Sequence, residues 1–223
     1  MHFEYVYPDP DTLFTALHNY CVKALQTDLE TEAKVSCYLS GGSTPLPLYA
    51  LLARSELPWQ RICPALVDER WVAVDHAASN EGMLRKHFSQ QADFLTQLKG
   101  MKTGHTTARD AESACNELYA TLPQPVSFCL LGMGGDGHTA SLFPHAQGLT
   151  EAFQTTSTCK SLTALPSVVT GSLTERMSLS LAGILQAKRI VLLFTGKQKW
   201  EIYQKALHCS DKAAMPVSAV RQQ

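Results

Sequence analysis

Short apolar runs alternate with longer stretches of helical periodicity along the chain. The apolar runs predict strands over residues 4–7, 35–39, 62–67, 126–131, 161–165, 176–181 and 189–194. The periodic stretches predict helices over residues 11–30, 45–53, 80–87, 111–122 and 197–207. Two of the runs, C-L-L (129–131) and I-V-L-L-F (190–194), are continuously apolar, which is typical of parallel strands covered on both faces. The pattern therefore predicts a layered α/β fold built on a mainly parallel sheet.

The size and charge of the chain limit the classes of partner to be considered. Its 223 residues, 45% hydrophobic and 17% charged, are enough for one domain, which we expect to span residues 1–223. The net charge of −1 gives no electrostatic case for nucleic acid or an anionic membrane as the main partner. The first residues lack the pattern of a signal peptide, and no apolar run approaches the roughly 20 residues that span a bilayer. We therefore expect a cytoplasmic protein, monomeric or a small homo-oligomer, that acts on a small molecule.

The cysteines and histidines form no recognisable metal or disulfide pattern. Seven cysteines are scattered along the chain, and none is spaced C-x-x-C. Because several lie inside apolar runs, we expect free thiols that pack in the core rather than disulfides or zinc ligands. His138 and His145 are near each other in sequence, but no third or fourth ligand stands beside them, so no metal is expected.

Polar clusters follow four of the predicted strands. In chain order they are S-G-G-S-T-P (40–45), D-E-R (68–70), G-M-G-G-D-G-H (132–138) and T-G-K-Q-K (195–199). Each cluster stands at the carboxyl end of its strand, and ligands of open α/β sheets bind at that edge. We therefore expect the four clusters to meet in one site.

The first cluster has the features of an anion-binding turn. Gly41 and Gly42 leave the backbone free to turn tightly, and Ser43 and Thr44 add hydroxyl donors. Thr44 is a plausible N-cap, with Pro45 at the first helical position. Free backbone N–H groups at the positive end of that helix suit a phosphate. A plain capped turn without a ligand is the alternative interpretation.

The cluster at residues 132–138 combines glycines with one imidazole. Gly134 and Gly135 let the backbone approach a ligand without a Cβ in the way. His138 is a candidate general base, because imidazole is the usual proton acceptor at neutral pH. Asp136 lies close enough in sequence to orient the ring or to bind a sugar hydroxyl. The alternative is a structural histidine whose hydrogen bonds are satisfied inside the fold.

The same loop matches G-x-G-x-x-G at residues 132, 134 and 137, which by letter suggests a dinucleotide site. That fingerprint normally opens the first strand–helix–strand unit and is followed by an acidic residue at the end of the next strand. Here the loop comes late, and the next predicted strand ends in Leu165-Pro166-Ser167. A nicotinamide cofactor is therefore not expected.

Two further clusters carry charge. Arg70 follows Asp68 and Glu69, and its guanidinium can bind an anionic oxygen in a bidentate manner. The simpler alternative is that the three residues are solvated charges at the end of a strand. Lys197 and Lys199 stand at the start of a predicted helix, where cations oppose the helix dipole. This misfit favours a ligand contact by at least one of the two lysines.

Taken together, these motifs resemble those of the 6-phosphogluconolactonases, within the superfamily of glucosamine-6-phosphate isomerases. The resemblance rests on S-G-G-S-T-P, on D-E-R-W-V (68–72) with Ser79-Asn80-Glu81 downstream, and on G-M-G-G-D-G-H-T-A-S-L-F-P (132–144). It continues through E-R-M-S-L-S-L (175–181) and T-G-K-Q-K, and ends in M-P-V-S-A-V (215–220). It implies a doubly wound, Rossmann-like sheet with helices on both faces, no metal and no cofactor. It also implies hydrolysis of 6-phosphoglucono-δ-lactone to 6-phosphogluconate, a step of the oxidative pentose phosphate pathway.

The resemblance also implies roles for individual residues. His138 matches the general base, with Asp136 beside it, and Arg70 matches a site arginine. The positions similar to substrate- or phosphate-binding residues are Gly41, Gly42, Ser43, Thr44, Asp68, Gly134, Gly135, Arg176 and Lys199. We therefore expect His138 to activate a water for attack on C1, while backbone N–H groups or Arg70 stabilise the oxyanion.

Glucosamine-6-phosphate deaminase/isomerases share part of this pattern. Their corresponding block is similar to D-G-H-I-A-F-N-E-P, whose glutamate supports the histidine. Phe143 stands at that position here, so the proton shuttle of an aldose–ketose isomerisation lacks a partner. A deaminase/isomerase-like enzyme and a non-catalytic sugar-phosphate sensor are the alternative functions.

Overall fold

The computed structural model of the chain describes residues 3–167 and 170–221. The helices are α1 (Pro10–Leu29), α2 (Leu46–Leu52), α3 (Asn80–His87), α4 (Ala92–Gln97), α5 (Glu112–Ala120), α6 (Leu149–Gln154), α7 (Leu181–Leu185), α8 (Lys197–His208) and α9 (Val217–Arg221), with a 3-10 turn at Trp59–Arg61. The strands are β1 (Val35–Leu39), β2 (Ile62–Leu66), β3 (Asp68–Arg70), β4 (Val126–Gly132), β5 (Cys159–Thr163), β6 (Glu175–Leu179) and β7 (Ile190–Leu193).

The centre of the fold is a parallel sheet in the order β2-β1-β4-β7. Every residue of β1 and β2 is buried. Since successive side chains of a strand point to opposite faces, both faces of the sheet are covered. Helix α1 packs on β1 and β4, and α4 packs on β2. The predicted α/β fold with a mainly parallel sheet is thus confirmed.

The strand order places a crevice at the middle of this sheet. The chain adds β2 on one side of β1 and then crosses back to add β4 on the other side. The connections that leave the carboxyl ends of β1 and β4 therefore run in opposite directions, and ligands of open α/β sheets bind in the gap between them. The first and third polar clusters directly follow these two strands.

A second, antiparallel sheet in the order β3-β6-β5 was not predicted. Strands were expected at residues 161–165 and 176–181, and they exist at Cys159–Thr163 and Glu175–Leu179, but they join this second sheet. The D-E-R cluster is itself the strand β3, which pairs with β6 and brings Arg70 opposite Arg176. Strand periodicity reports which face is buried, not which neighbour is paired, so the sequence pattern did not separate the two sheets.

Some predicted elements differ from the structure. The strand expected at residues 4–7 is wrong: this segment pairs with no other strand in the described part of the chain, and Tyr5 and Val6 are 69% and 75% exposed. Helices α4, α6, α7 and α9 were not predicted. Each has five or six residues, which is too short to display a helical period.

The six cysteines other than Cys209 are buried free thiols, as expected. Burial raises the pKa of the Cys21 thiol to about 12. The described residues contain no group of three or more histidines, cysteines and carboxylates arranged to hold a metal ion. None of the helices in the described ranges combines the length and the hydropathy that a membrane span requires.

Candidate active site

The four polar clusters meet in one cleft of about 340 Å³ at the crevice of the parallel sheet. The residues of the predicted site that line it are Gly41, Gly42, Ser43, Thr44, Asp68, Arg70, Gly134, Gly135, His138 and Lys199. Asp136 and Arg176 were also predicted to belong to the site, but they do not line the cleft. The convergence follows from the parallel strands, which deliver their carboxyl ends to the same edge of the sheet.

His138 lies on the wall of the cleft with Asp136 behind it. The Asp136 Oδ1 atom is 2.5 Å from His138 Nδ1 and also accepts a hydrogen bond of 3.1 Å from the His138 backbone N–H. Burial alone would raise the pKa of the Asp136 carboxyl, but the hydrogen bonds and charge of His138 outweigh it and lower the pKa below its usual value. An ionised Asp136 keeps the ring proton on Nδ1, which leaves Nε2 as the nitrogen that can accept a proton.

The glycine loop positions the imidazole ring of His138. A Cβ at Gly134 would lie 2.1 Å from His138 Cε1 and Nδ1, so the ring packs directly on the glycine backbone. The Gly134 N–H donates to the His138 carbonyl at 2.9 Å and closes the loop. Gly137 has a φ of 80°, a conformation that favours glycine. Gly135, by contrast, has open space where its Cβ would be.

An apolar ring covers the other side of this histidine. The rings of Phe143 and His138 have centroids 4.2 Å apart at an angle of 35°, and Phe143 is 6% exposed. The residue that the resemblance aligned with the glutamate of deaminase/isomerases is thus in contact with the imidazole. It supplies a hydrophobic surface there and no carboxylate.

The S-G-G-S-T-P turn differs slightly from the prediction. Helix α2 begins at Leu46, Pro45 occupies the cap position, and no side chain caps the helix, so the expected N-cap role of Thr44 is wrong. The Leu46 N–H donates to the Ser43 carbonyl at 3.3 Å, which tightens the turn before the helix begins. The Thr44 hydroxyl is therefore not used as a cap, and Ser43 and Thr44 both line the cleft.

The structure distinguishes the two lysines at the start of α8. Lys199 is half-buried and lines the cleft, whereas Lys197 is exposed and lies outside the lining. The helix begins after Gly196 without a side-chain cap. Its uncapped N-terminus and the Lys199 ammonium group therefore both add positive potential to the cleft.

The D-E-R cluster is not a group of solvated charges, which was the simpler interpretation. Asp68 is 8% exposed and Glu69 is fully buried. The Asp68 carboxylate accepts a hydrogen bond of 2.6 Å from the Ser141 hydroxyl. The Arg70 Nη1 atom donates to the Ala78 carbonyl at 2.5 Å while its side chain lines the cleft. The cluster is thus part of the site.

Asn80 also lines the cleft, although the resemblance gave no site role to the motif at residues 79–81. Its Nδ2 donates to the Asp68 carbonyl at 2.8 Å. The side chain also lies against the first turn, since a Cβ at Gly41 would be 1.9 Å from Asn80 Oδ1. The available signal was its place in that motif, at the first residue of a predicted helix and ten residues after Arg70.

Arg176 lies beside the cleft rather than in its wall. It is 3% exposed, its Cζ is 5.7 Å from the centre of the Phe143 ring, and its Nε has no partner within residues 3–167 and 170–221. Burial and the nearby charge of Arg70 lower the pKa of its guanidinium. Its placement does not support the expected phosphate contact, which stays a prediction from the resemblance.

Comparison with known proteins agrees with this architecture. A 6-phosphogluconolactonase of Caulobacter vibrioides is 35% identical over 218 residues, which cover 96% of this chain and 89% of that protein. A 6-phosphogluconolactonase of Xylella fastidiosa is 33% identical over 211 residues, 95% of this chain and 87% of that protein. The crystal structure of a 6-phosphogluconolactonase from Shewanella baltica matches with a TM-score of 0.90 at 34% identity and covers 97% of this chain and 91% of that one.

A family match covers almost the entire chain. Residues 8–223 match the family described as "Glucosamine-6-phosphate isomerases/6-phosphogluconolactonase". The match includes every polar cluster that lines the cleft. The chain belongs to the family of glucosamine-6-phosphate isomerases and 6-phosphogluconolactonases.

Proposed function

We propose that this chain hydrolyses 6-phospho-D-glucono-1,5-lactone to 6-phospho-D-gluconate, the reaction for which its curated relatives are named. The observation that carries the proposal is the contact between His138 and Asp136 in a cleft that also presents Ser43, Thr44 and Lys199. This arrangement combines a proton acceptor with a group of donors suited to a phosphate.

The proposed reaction uses the histidine twice. Nε2 of His138 accepts a proton from a water molecule while the water oxygen attacks C1 of the lactone. The carbonyl π electrons move to its oxygen, which Arg70 or a loop N–H stabilises as the oxyanion. When the oxyanion collapses, the bond from C1 to the ring oxygen breaks, and that oxygen takes the proton back from the imidazolium. Asp136 stabilises the imidazolium in between.

The phosphate would lie at the other end of the cleft. Ser43 and Thr44 supply hydroxyl and backbone donors, and Lys199 supplies a positive charge. These groups bind a part of the substrate that does not react. They therefore hold C1 near His138 without changing its chemistry.

Phe143 favours hydrolysis over the isomerase alternative. An aldose–ketose proton shuttle needs a supporting carboxylate, and the ring in contact with His138 is a phenyl group. Base-assisted hydrolysis of a lactone needs only a base, an oxyanion donor and positioning. A deaminase/isomerase-like activity would appear as release of ammonia from glucosamine 6-phosphate, and we expect none.

The experiment that tests the proposal supplies freshly made lactone and follows acid release above the spontaneous rate. We expect His138→Ala to lower kcat by about 10²–10⁴-fold, the usual effect of removing a general base. His105→Ala is the matched control, because His105 is exposed and outside the cleft. An inactive wild-type protein would contradict the proposed reaction, and an unchanged kcat in His138→Ala would contradict the role of the base.

A further inference from the structure

Glu69 is a fully buried carboxylate next to the cleft that the proposed chemistry does not use. It lies on β3 between Asp68 and Arg70, which both line the cleft. Because side chains alternate along a strand, Glu69 points away from the side that Asp68 and Arg70 share. A buried charge is unfavourable unless other groups compensate it, so its partners define what it does.

Four hydrogen bonds compensate this charge. Oε1 accepts from the backbone N–H groups of Arg70 and Asn80, both at 2.8 Å. Oε2 accepts from the Ser79 hydroxyl at 2.9 Å and from the Glu81 backbone N–H at 2.8 Å. All four donors are neutral. The carboxylate therefore connects β3 to the residues at which α3 begins.

The beginning of α3 also stabilises the charge through the helix dipole. Asn80 and Glu81 are the first two residues of the helix, and Ser79 is its N-cap, accepting from the Gly82 N–H at 3.0 Å. A negative group at this end is favourable, because the first N–H groups of a helix have no intrahelical acceptor. Burial raises the pKa of Glu69, and the hydrogen bonds from Glu81, Asn80 and Ser79 oppose that rise.

The hydrogen bonds of Glu69 affect the position of Arg70 in two ways. The Arg70 backbone N–H is one of the four donors, so its position on β3 is tied to the carboxylate. Its guanidinium donates to the carbonyl of Ala78, the residue before Ser79. If the turn before α3 moved away from β3, the acceptor that orients this guanidinium would move with it.

We propose that Glu69 is a positioning residue that sets the Arg70 guanidinium for stabilisation of the oxyanion. The proposal rests on the proposed function. Glu69 touches no substrate in it. It acts by holding the turn at Ala78 and the start of α3 against β3, so that the guanidinium enters the cleft in one orientation.

The test is a double-mutant cycle between Glu69→Gln and Arg70→Ala. Glutamine keeps the volume of Glu69 but places an NH₂ group where two hydrogen-bond donors point, at least one of them a backbone N–H, which breaks at least one of the four hydrogen bonds. We expect kcat to fall by about ten-fold or more, with KM changed by less than about two-fold, since the loss concerns the transition state. In the Arg70→Ala background, Glu69→Gln should lower kcat by less than about two-fold, because the group that it positions is gone.

A merely structural role would give a different result. The two substitutions would then lower kcat by independent factors that multiply, and that outcome would overturn the proposal. Asp28→Asn is the matched control, a buried carboxylate bound to Lys188 and Arg189 outside the cleft. This substitution should lower the melting temperature. It should leave kcat and the coupling between Glu69 and Arg70 unchanged.

A second variant serves if Glu69→Gln does not fold. Ser79→Ala removes one donor and the N-cap but leaves the three backbone donors, and we expect a kcat loss of about three-fold that disappears in the Arg70→Ala background. A loss of the same size in both backgrounds would overturn the proposal. An inactive wild-type protein would instead contradict the proposed function, so the two failures are distinguishable.

Discussion

Replacing Gly134 by alanine should remove most of the activity without unfolding the protein. The new Cβ would lie 2.1 Å from His138 Cε1 and Nδ1 and 2.6 Å from Asp136 Oδ1, whereas ordinary contacts begin at 3.4 Å. The imidazole would have to move by more than about 1 Å, and a displacement of that size can lower a rate by about 10²-fold. Phe143 lies against the ring and restricts that movement.

Gly104→Ala is the matched control for this substitution. It adds the same methyl group at an exposed glycine outside the cleft, where no heavy atom lies within 4 Å of the new Cβ. Neither glycine has a positive φ, so neither substitution imposes a left-handed conformation on alanine. A loss of kcat confined to Gly134→Ala therefore reports the crowding of the cleft wall at His138.

The assay is initial-rate hydrolysis of freshly made lactone, with thermal unfolding measured in parallel. We expect Gly134→Ala to lower kcat by about 10²-fold, and Gly104→Ala to change it by less than about two-fold. Both proteins should unfold within a few degrees of the wild type. Equal kcat values for the two variants would refute the reasoning, because the imidazole would then not depend on its contact with Gly134.

Three further predictions follow from the site and its surroundings. Lys199→Ala should raise KM by about ten-fold with a smaller change in kcat, because the proposed role of this lysine is to bind the phosphate, a part of the substrate that does not react. Lys197→Ala should leave KM nearly unchanged, and equal effects of the two substitutions in steady-state kinetics would count against the assignment. Burial alone would raise the pKa of the Asp28 carboxyl. The hydrogen bonds that it accepts from Arg189 and Lys188 outweigh burial and lower the pKa below its usual value. Asp28→Asn should therefore cost about 1–2 kcal/mol of unfolding free energy near pH 7, a difference fully present above the unfolded pKa of about 3.9 and lost as pH falls through the folded pKa. Urea unfolding at several pH values checks this, and a difference independent of pH would contradict it. Titration with NAD or NADP should give no saturable change in tryptophan fluorescence, and saturable binding would revive the dinucleotide interpretation of the glycine loop.

The local sequence pattern was enough to predict the bounds of the helices and strands with strong periodicity. The predicted bounds of β1 and α3 agree with the structure residue for residue, and those of β2, β4 and α8 differ by one residue at one end. Apolar continuity and helical spacing are properties of adjacent residues, so they can be observed without knowing the fold. The segment at residues 4–7 shows the limit, because an apolar run becomes a strand only where another strand pairs with it.

The membership of the cleft was also largely predictable. Ser43, Arg70, His138 and Lys199 are distant in sequence, yet each follows a predicted strand, and they line one cleft. Parallel strands must present their carboxyl ends at the same edge, so the sequence order of strands and polar clusters was sufficient to predict the convergence.

The sequence by itself therefore determined the parallel core and the edge at which its polar residues collect. Only the tertiary structure decided that Glu69 is buried, that Lys199 rather than Lys197 faces the cleft, and that Arg176 lies outside its wall. Each of these outcomes depends on contacts between segments remote in sequence, such as β3 with α3 and with β6. Periodicity carries no information about such contacts, because it describes a segment's own faces and not the neighbour that covers them.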